Sequence, residues 1–355
     1  MPRRITLRLI ATQAGVDIST VSLAMRNSPR VQSATRDRIH KIATDLGYQP
    51  DAALAALVAY RNGVRAASYQ STLAWLDNWP VHGELRKIEA FNEYFLGAAG
   101  RAAESGYKLD EFPLQSAGLP PARVADILRA RNIHGIIVAP QQHDGDTLDF
   151  DFTGFSAVAL GYSLRPARLH VVTNHQFLSV TLAVRQLLAV GCRRIGLYLQ
   201  SDWDNKVNHG YSTGFASAQK SLIPQDRIEP FFFDTETVDA AAFCAWVGRE
   251  RPDAIITQGL YSILLFTKLL KTMGLRVPHD VGLVDLSTSR NTPAVSGIHQ
   301  NNRRIGATAV DLIIGMLHRN EHGLPETIVY TLVDGVWQPG TTVRAPTRQA
   351  APSAG

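Results

Sequence analysis

Apolar residues recur at helical spacing in three short segments at the start of the chain. These segments predict helices over 5–14, 18–26 and 32–47. Thr6 is a suitable N-cap for the first helix, and Gly15 allows a tight turn after it. Three short helices with a glycine at the first turn are typical of a helix-turn-helix.

From residue 71 onward, short apolar runs that predict strands alternate with helical patterns. The predicted strands are 72–76, 107–112, 135–139, 157–160, 194–199, 230–233, 254–257 and 281–286. The predicted helices lie near 88–105, 121–131, 176–190, 209–221, 239–250, 260–273 and 303–318. This alternation indicates an α/β fold with parallel sheets and helices on both faces. It is too long for one doubly wound sheet, so we expect two similar lobes.

The positive charge of the chain is confined to its first part. Residues 1–65 contain ten Lys and Arg against four Asp, whereas the remaining residues contain 26 basic and 27 acidic side chains. A basic head on a neutral body favours an anionic partner such as DNA.

Several classes of protein lack their sequence signatures. No run of about 18 apolar residues occurs and the N-terminus does not resemble a signal peptide, so we expect a cytoplasmic protein with no membrane partner. Cys192 and Cys244 are too few for a disulfide framework or a metal site, and no cofactor or metal is expected. The dinucleotide-binding, P-loop, nucleophile-elbow and zinc motifs are absent, so an enzyme is not expected.

Side chains suited to DNA recognition are concentrated in the predicted helix-turn-helix. Those placed to read base edges are Ile18, Ser19, Thr20, Ser22 and Leu23. Those placed to contact phosphates are Thr6, Arg8, Thr35 and Arg36. Asp17 and Arg26, which flank the second helix, complete this DNA-binding set. The alternative is that all of them are ordinary surface residues of small helices.

Residues 6–50 resemble the DNA-binding head of the lactose/galactose-repressor family. The family pattern T-L-x-x-(V/I)-A-x-x-A-G-V-S-x-x-T-V-S-R corresponds to TLRLIATQAGVDISTVSL, and V-x-x-x-T-R and L-G-Y-x-P follow at the family's spacing. The resemblance implies a sequence-specific transcriptional repressor that binds a palindromic operator as a homodimer. Leu23 replaces the arginine that follows T-V-S, which removes a common reader of guanine.

The resemblance also implies a hinge helix after the head. Leu57 falls on the family's hinge leucine, which wedges into the minor groove and kinks the DNA. Leu54 of the same predicted helix is included in the DNA-binding set. Asp51 and the pair Ala55-Ala56 depart from the family pattern at the hinge.

The body resembles the same family out to about residue 344. The resemblance implies two Rossmann-like lobes joined by three crossing strands, as in periplasmic sugar-binding proteins, with a ligand between the lobes at the carboxyl ends of the strands. The expected divisions are a helix-turn-helix domain over 1–50, a hinge helix and linker over 51–65, an effector-binding and dimerisation body over 66–345 and a disordered tail over 346–355. Within the body we expect lobe 1 at about 70–162 and 297–325, and lobe 2 at about 163–296 and 326–344.

The loops of the predicted cleft contain polar and aromatic side chains that suit a carbohydrate-like effector. These are Asp77, Asn78, Trp79, Tyr162, Ser163, Asn205, Lys206, Asn208, Gln258 and Ser287. The family's usual sugar-binding groups are absent, because their counterparts are Val207, Gly259-Leu260 and Ser287-Thr288. Three interpretations therefore remain possible from the sequence. The cleft binds an unusual ligand, it binds no ligand, or these residues simply form the solvated rim of the loops.

The sequence thus predicts a repressor that dimerises through both lobes, including the helix near 303–318, and that responds to a small molecule. A free sugar-binding protein of the same body fold is the alternative, and a Rossmann-type enzyme is a remote one. The attached head and the absence of a signal peptide argue against the first, and the missing glycine motif argues against the second.

Overall fold

The computed structural model describes residues 6–345 except 26, 27, 29, 47–70, 116, 117, 167 and 236. A helical head over 6–46 precedes an α/β body that begins at residue 71. The predicted hinge helix and linker over 51–65 and the predicted tail over 346–355 lie outside the described residues.

The head consists of three short helices around a small core. They are α1 (Leu7–Ala14), α2 (Ile18–Ala24) and α3 (Ser33–Asp45). Thr6 is the N-cap of α1, and Gly15 ends that helix in the left-handed conformation with a φ of 65°. The helices bury Ile10, Ala11, Ala14, Val21, Ala24, Val31, Ile39 and Ala43. Leu9 of α1 is exposed, and its neighbour Ile10 fills the core.

The body alternates strands and helices along the chain. Its strands are β1 (Ser71–Asp77), β2 (Tyr107–Pro113), β3 (Gly135–Val138), β4 (Ser156–Leu160), β5 (His170–Asn174), β6 (Ile195–Gln200), β7 (Phe231–Phe233), β8 (Ala254–Thr257), β9 (Gly282–Asp285), β10 (Gly297–His299), β11 (Tyr330–Val333) and β12 (Val336–Gln338). Its helices are α4 (Glu84–Lys87), α5 (Glu89–Glu104), α6 (Pro121–Ala130), α7 (Gln176–Ala189), α8 (Ser201–Lys206), α9 (Gly210–Gln219), α10 (Ala240–Glu250), α11 (Leu260–Thr272) and α12 (Asn302–Arg319).

The strands form two six-stranded sheets, one in each lobe. The first has the order β11-β5-β4-β3-β1-β2 and is parallel throughout, and the second has the order β12-β10-β9-β8-β6-β7 and is parallel except at β12. Strands such as β3, β4, β8 and β9 are buried on both faces, which explains their continuous apolar runs. The fold class predicted from the sequence is therefore confirmed.

Each sheet has one hydrophobic core on each face. In lobe 1, α5 and α12 cover one face and α6 covers the other. In lobe 2, α7 and α9 cover one face, and α10 and α11 cover the other. The helices α5 and α12 pack so closely that a Cβ at Gly306 would lie 1.9 Å from the carbonyl oxygen of Tyr94, and only glycine fits there.

Three connections cross between the lobes, as the family resemblance implied. They run from β5 to α7, from β10 to α12 and from β11 to β12. This moves the predicted lobe boundaries, because β5 and β11 pair with lobe 1 and β10 pairs with lobe 2. Lobe 1 thus contains 71–174 and 302–333, and lobe 2 contains 175–299 and 336–345.

Two short helices of the body, α4 and one near residue 201, are missing from the sequence-based prediction. The segment 201–206, expected to be a loop, forms the short helix α8. Among the helices that the structure describes, none has the length and hydropathy needed to cross a membrane.

Candidate DNA-binding face and interlobe cleft

The three helices of the head fix the position of α2. Val21 and Ala24 pack into the head core, and the imidazole Nε2 of His40 on α3 lies 3.1 Å from the carbonyl oxygen of Ala24 at the end of α2. This packing fixes the orientation of α2, and a helix that reads DNA requires a fixed orientation of its outer side.

The residues predicted to contact DNA are mostly at the surface of the head. Thr6, Arg8, Asp17, Ile18 and Ser19 are exposed, and Thr20, Ser22, Leu23, Thr35 and Arg36 are half-buried. Leu23 also packs against the head core, so only part of this side chain is available to a base. Arg26, Leu54 and Leu57 lie outside the described residues.

Asp17 has a structural role that the sequence pattern did not reveal. It is the N-cap of α2, where its Oδ1 accepts hydrogen bonds from the backbone N–H of Ser19 at 2.8 Å and from the Ser19 hydroxyl at 2.7 Å. These two bonds lower the pKa of the Asp17 carboxyl below its ordinary value. The cap therefore fixes both the start of α2 and the direction of the Ser19 hydroxyl hydrogen.

A cleft of about 1110 Å³ lies between the lobes. Its lining includes residues at the carboxyl ends of β3, β4 and β5 in lobe 1 and of β8 and β9 in lobe 2. Parallel α/β sheets bind their ligands at this edge, because the loops and helix N-termini that follow the strands converge there.

Half of the predicted effector residues line this cleft. They are Tyr162, Ser163, Lys206, Gln258 and Ser287. The ammonium group of Lys206 lies 3.3 Å from a carboxylate oxygen of Asp202 and 5.1 Å from the centre of the Trp203 ring. Lys206 and Trp203 both belong to α8, so this short helix supplies one side of the cleft.

The other half of the predicted set does not line the cleft. Asp77 and Trp79 are buried, because the Asp77 carboxylate accepts the Trp79 backbone N–H at 3.0 Å and the Trp79 indole donates to the carbonyl of Pro140 at 2.8 Å. Burial raises the pKa of Asp77, although the bond from Trp79 opposes this. These two residues close the loop after β1 rather than face a ligand.

The remaining three lie beside the cleft. The Asn78 amide donates to the side chain of Gln141 at 2.9 Å and so positions a residue that does line the cleft. Asn205 and Asn208 are exposed and lie outside the lining of the main cleft.

The most buried charge in the cleft is Asp285, which the sequence analysis did not select. Only 2% of Asp285 is exposed, and its Oδ1 accepts the N–H groups of Gly259 and Ser287, each at 2.8 Å. Burial raises the pKa of Asp285, and the nearby carboxylate of Glu89 adds to the increase, whereas the two N–H bonds oppose it. A carboxylate at the end of the apolar run VGLVD was the available sequence signal.

A buried hydrogen-bond network connects the lobes below the cleft. Tyr94 donates to Asn174 at 3.2 Å, Asn174 donates to Gln300 at 3.0 Å, and Gln300 donates to Tyr211 at 3.3 Å. Tyr94 and Asn174 belong to lobe 1, and Tyr211 and Gln300 belong to lobe 2 or its connection to α12. The network therefore couples the two lobes where the chain crosses between them.

Comparison with known proteins identifies both parts of the chain. Residues 6–51 match the profile of bacterial regulatory proteins of the lacI family, and residues 184–335 match that of the periplasmic binding protein-like domain. The head is thus a lacI-family DNA-binding domain, and the body contains a periplasmic binding protein-like domain. The resemblance inferred from the sequence is thus confirmed in the head and in the body.

Individual relatives cover nearly the whole chain. The HTH-type transcriptional repressor PurR of Haemophilus influenzae (strain PittEE) is 22% identical over 338 residues, which cover 93% of this chain and 95% of that protein. The lac repressor dimer bound to operator and the anti-inducer ONPF has a TM-score of 0.55 and 18% identity over 97% of this chain and 100% of that one. A CelR–cellobiose complex has a TM-score of 0.53 and 18% identity over 96% of this chain and 100% of that one.

Asp285 is the last residue of β9, and Ser287 and Thr288 follow it in the lining of the cleft.

Proposed function

We propose that this protein is a transcriptional repressor that binds a palindromic operator as a homodimer and is controlled by a small molecule in the interlobe cleft. The observation that carries the proposal is the combination, in one chain, of a LacI-family head with an exposed α2 and a two-lobed body with a large cleft. A free sugar-binding protein has no use for such a head.

The head reads DNA through α2. In helix-turn-helix proteins the second helix enters the major groove, where short hydroxyl groups and apolar side chains meet base edges. Ile18 and Ser19 are the most exposed candidates, and Leu23 contributes the outer part of its side chain. The phosphate contacts that hold this helix in register are assigned to Thr6, Arg8, Thr35 and Arg36.

Dimerisation follows from the amount of DNA that one head can read. A single recognition helix contacts too few bases for genomic specificity, whereas two heads on one palindrome reach it. We assign the contact in lobe 2 to α11, on which Leu260, Tyr261 and Leu264 are exposed along one side. The helix near 303–318 is a weaker candidate than the sequence suggested, because the apolar residues of α12 already pack against lobe 1.

The effector site is assigned to the interlobe cleft. The relatives include a regulator in complex with cellobiose, and the cleft of this chain is large enough for a ligand of one or two sugar rings. A ligand that contacts both lobes favours their closed arrangement and so changes the spacing of the two heads. The predicted hinge helix with Leu54 and Leu57 would transmit this change.

The relatives are transcriptional regulators, and we propose a binding function without catalysis for this chain as well. A repressor acts on the chromosome, so we place the protein in the cytoplasm.

Selection of DNA sites from a random duplex pool by the full-length protein tests the proposal. We expect enrichment of a palindrome whose half-sites lie on one face of the helix. A double Ile18→Ala, Ser19→Ala variant removes two exposed side chains and should abolish the enrichment. Leu178→Ala, an exposed residue of α7, is the matched control and should keep it. A parent protein that enriches no sequence would contradict the proposal.

A further inference from the structure

The hydrogen-bond donors at the floor of the cleft are largely used within the protein. The amide groups of Asn174 and Gln176 donate to Gln300 and to Asn174, at 3.0 and 3.1 Å. The amide of Gln300 donates to Tyr211 and to the carbonyl of Leu286, and the hydroxyl of Tyr94 donates to Asn174. A ligand therefore finds few free donors there.

Oxygen atoms, by contrast, remain without partners. Both N–H donors of Asp285 bind Oδ1, and no hydrogen bond to Oδ2 is found among the residues that the structure describes. Two other atoms, Oγ1 of Thr288, a residue that is 4% exposed, and Oδ1 of Asn302, are buried without a partner in the described chain. All three residues line the cleft. Buried polar atoms are normally satisfied, so Thr288 and Asn302 lack a polar partner, and a free oxygen of Asp285 can accept a further hydrogen bond.

Two carboxylates of the cleft also lack a counter-charge. Among the described residues, neither Asp285 in lobe 2 nor Glu89 in lobe 1 has an ion-pair partner. Both carboxylates line the cleft, and Glu89 accepts hydrogen bonds from Ser289 and Asn291 in the loop that follows Asp285. A buried carboxylate beside a second carboxylate is costly unless a cation joins them.

The basic residues of the cleft do not supply this cation. Lys206 binds Asp202 at 3.3 Å, Arg303 binds Glu93 at 2.6 Å, and Arg101 binds Asp311 at 2.6 Å. Arg290 and Arg304 also line the cleft but are exposed at its rim. Within the described part of the chain, no basic side chain of the cleft pairs with Asp285 or Glu89, so a cationic ligand can take this position.

We propose that the effector is a carbohydrate-like molecule with a cationic amino group that binds between Asp285 and Glu89. This inference rests on the proposed effector role of the cleft and specifies its ligand. The ammonium donates hydrogen bonds to Oδ2 of Asp285 and to the Glu89 carboxylate, and a ligand hydroxyl reaches Thr288. Because the two carboxylates belong to different lobes, the amino group also links the lobes.

The position of Asp285 favours an amine over a neutral sugar. An aspartate that binds a sugar usually accepts hydrogen bonds from two hydroxyl groups, one on each carboxylate oxygen. Here Oδ1 is occupied by the N–H groups of Gly259 and Ser287, so one oxygen remains for a ligand. One oxygen suits one charged donor, and hydrogen bonds between charged partners are the stronger ones.

Glu89 already contacts lobe 2 without a ligand. Its carboxylate accepts hydrogen bonds from the Ser289 hydroxyl and from the Asn291 amide, the latter at 3.3 Å. Both residues belong to the loop after β9, which also contributes Ser287 and Thr288 to the cleft. An ammonium between Glu89 and Asp285 therefore strengthens a lobe contact that the fold already makes.

The experiment compares matched sugars by thermal shift and calorimetry with the full-length protein at neutral pH. The pairs are glucosamine with glucose, galactosamine with galactose, and mannosamine with mannose. We expect the amino sugar of at least one pair to raise the melting temperature in a concentration-dependent way and to bind about tenfold or more tightly than its partner. Equal binding of the two members of every pair, or no binding by any amino sugar, would overturn the inference.

Substitutions of the two carboxylates test whether they cause the preference for the amino sugar. Asp285→Asn and Glu89→Gln should each remove the preference for the amine. Asp253→Asn is the matched control, because Asp253 precedes β8 at the opposite edge of the same sheet, where it accepts the N–H of Arg193 at 2.7 Å. A preference that survives Asp285→Asn would contradict the assignment. Site selection on DNA is read separately, so specific operator binding without an amine preference refutes this inference alone.

Discussion

Asp17 accepts two hydrogen bonds from Ser19, one from its backbone N–H and one from its hydroxyl group. The hydroxyl hydrogen of Ser19 thus points at Asp17, and the oxygen offers only lone pairs to the DNA. In the major groove, lone pairs are matched by the amino groups of cytosine and adenine. The head is therefore expected to prefer one of these bases where Ser19 meets the operator.

Asp17→Ala should relax this preference at one symmetric position and lower the melting temperature by a few degrees through loss of the helix cap. Site selection and thermal melting measure the two effects. Asp239→Ala is the control, because Asp239 is also a helix N-cap and accepts two backbone N–H groups of α10, at 2.8 and 3.1 Å. It should lower stability but keep the base preference. An unchanged base preference in Asp17→Ala would show that the hydrogen bond from Ser19 to Asp17 does not determine which base is preferred.

Arg8 and Arg36 are expected to bind phosphates rather than bases. Arg36→Ala should weaken binding to operator and to unrelated DNA alike and make the dependence of log affinity on log salt less steep, by about one for each lost contact. Fluorescence anisotropy over a range of salt concentrations measures both effects. Arg276→Ala removes an exposed arginine of the body that pairs with Asp280, and it should leave the slope unchanged. A selective loss of operator binding in Arg36→Ala would instead mean base recognition.

The exposed apolar side of α11 is expected to form the dimer contact in lobe 2. Tyr261 and Leu264 are the most exposed large apolar residues of this helix, at 65% and 62%. A Leu264→Glu substitution places a charge in the interface and should produce monomers with weaker operator binding. Sedimentation velocity measures the mass. Leu119→Glu, at another exposed leucine, should remain dimeric, and a dimeric Leu264→Glu would exclude this face.

The charge of Asp285 should make stability depend on pH. Because burial raises its pKa, the folded state binds the proton more tightly than the unfolded state, and the ionised form destabilises the fold at neutral pH. Asp285→Asn keeps an oxygen for the two N–H donors and removes the charge. Its melting temperature should equal or exceed that of the parent at neutral pH, and the difference should shrink as the pH falls through the raised pKa.

Asp280→Asn is the control of opposite sign. Hydrogen bonds from Arg276 lower the pKa of Asp280 to about 2, so its ionised form stabilises the fold, and this contribution is lost only as the pH falls through that value. The substitution should lower the melting temperature at neutral pH. A neutral-pH loss of stability in Asp285→Asn as well would mean that its carboxylate already has a counter-charge.

Eight of the twelve strands that the structure describes could be predicted, because most of them form continuous apolar runs, whereas β5, β10, β11 and β12 were missed. The continuous apolar run AIIT becomes β8, Ala254–Thr257, with the predicted limits, since a strand covered on both faces needs apolar residues throughout. The helix α8 was missed because SDWDNK has no apolar periodicity. The lobe boundaries were missed because pairing across the crossings is decided by contacts far apart in sequence, such as that of β11 with β5.

The site was harder to predict than the fold. Trp79 follows a strand, as a cleft residue should, but its side chain points into the core, where its indole donates a hydrogen bond to the carbonyl of Pro140. Asp285 lines the cleft but was not selected from the sequence. An acidic residue at the end of an apolar run gives no sign of whether it faces a cleft or a backbone N–H. In the structure it faces both. Such distinctions depend on where loops fold back, which local sequence does not determine.

Sequence-specific binding is tested by two affinities of the full-length protein at one salt concentration. One is for the palindrome recovered by selection, and the other is for a duplex of the same composition with the half-sites scrambled. We expect the palindrome to bind about 1,000-fold or more tightly, as it does for sequence-specific regulators. Equal affinity for the two duplexes would show that the protein is not a sequence-specific regulator.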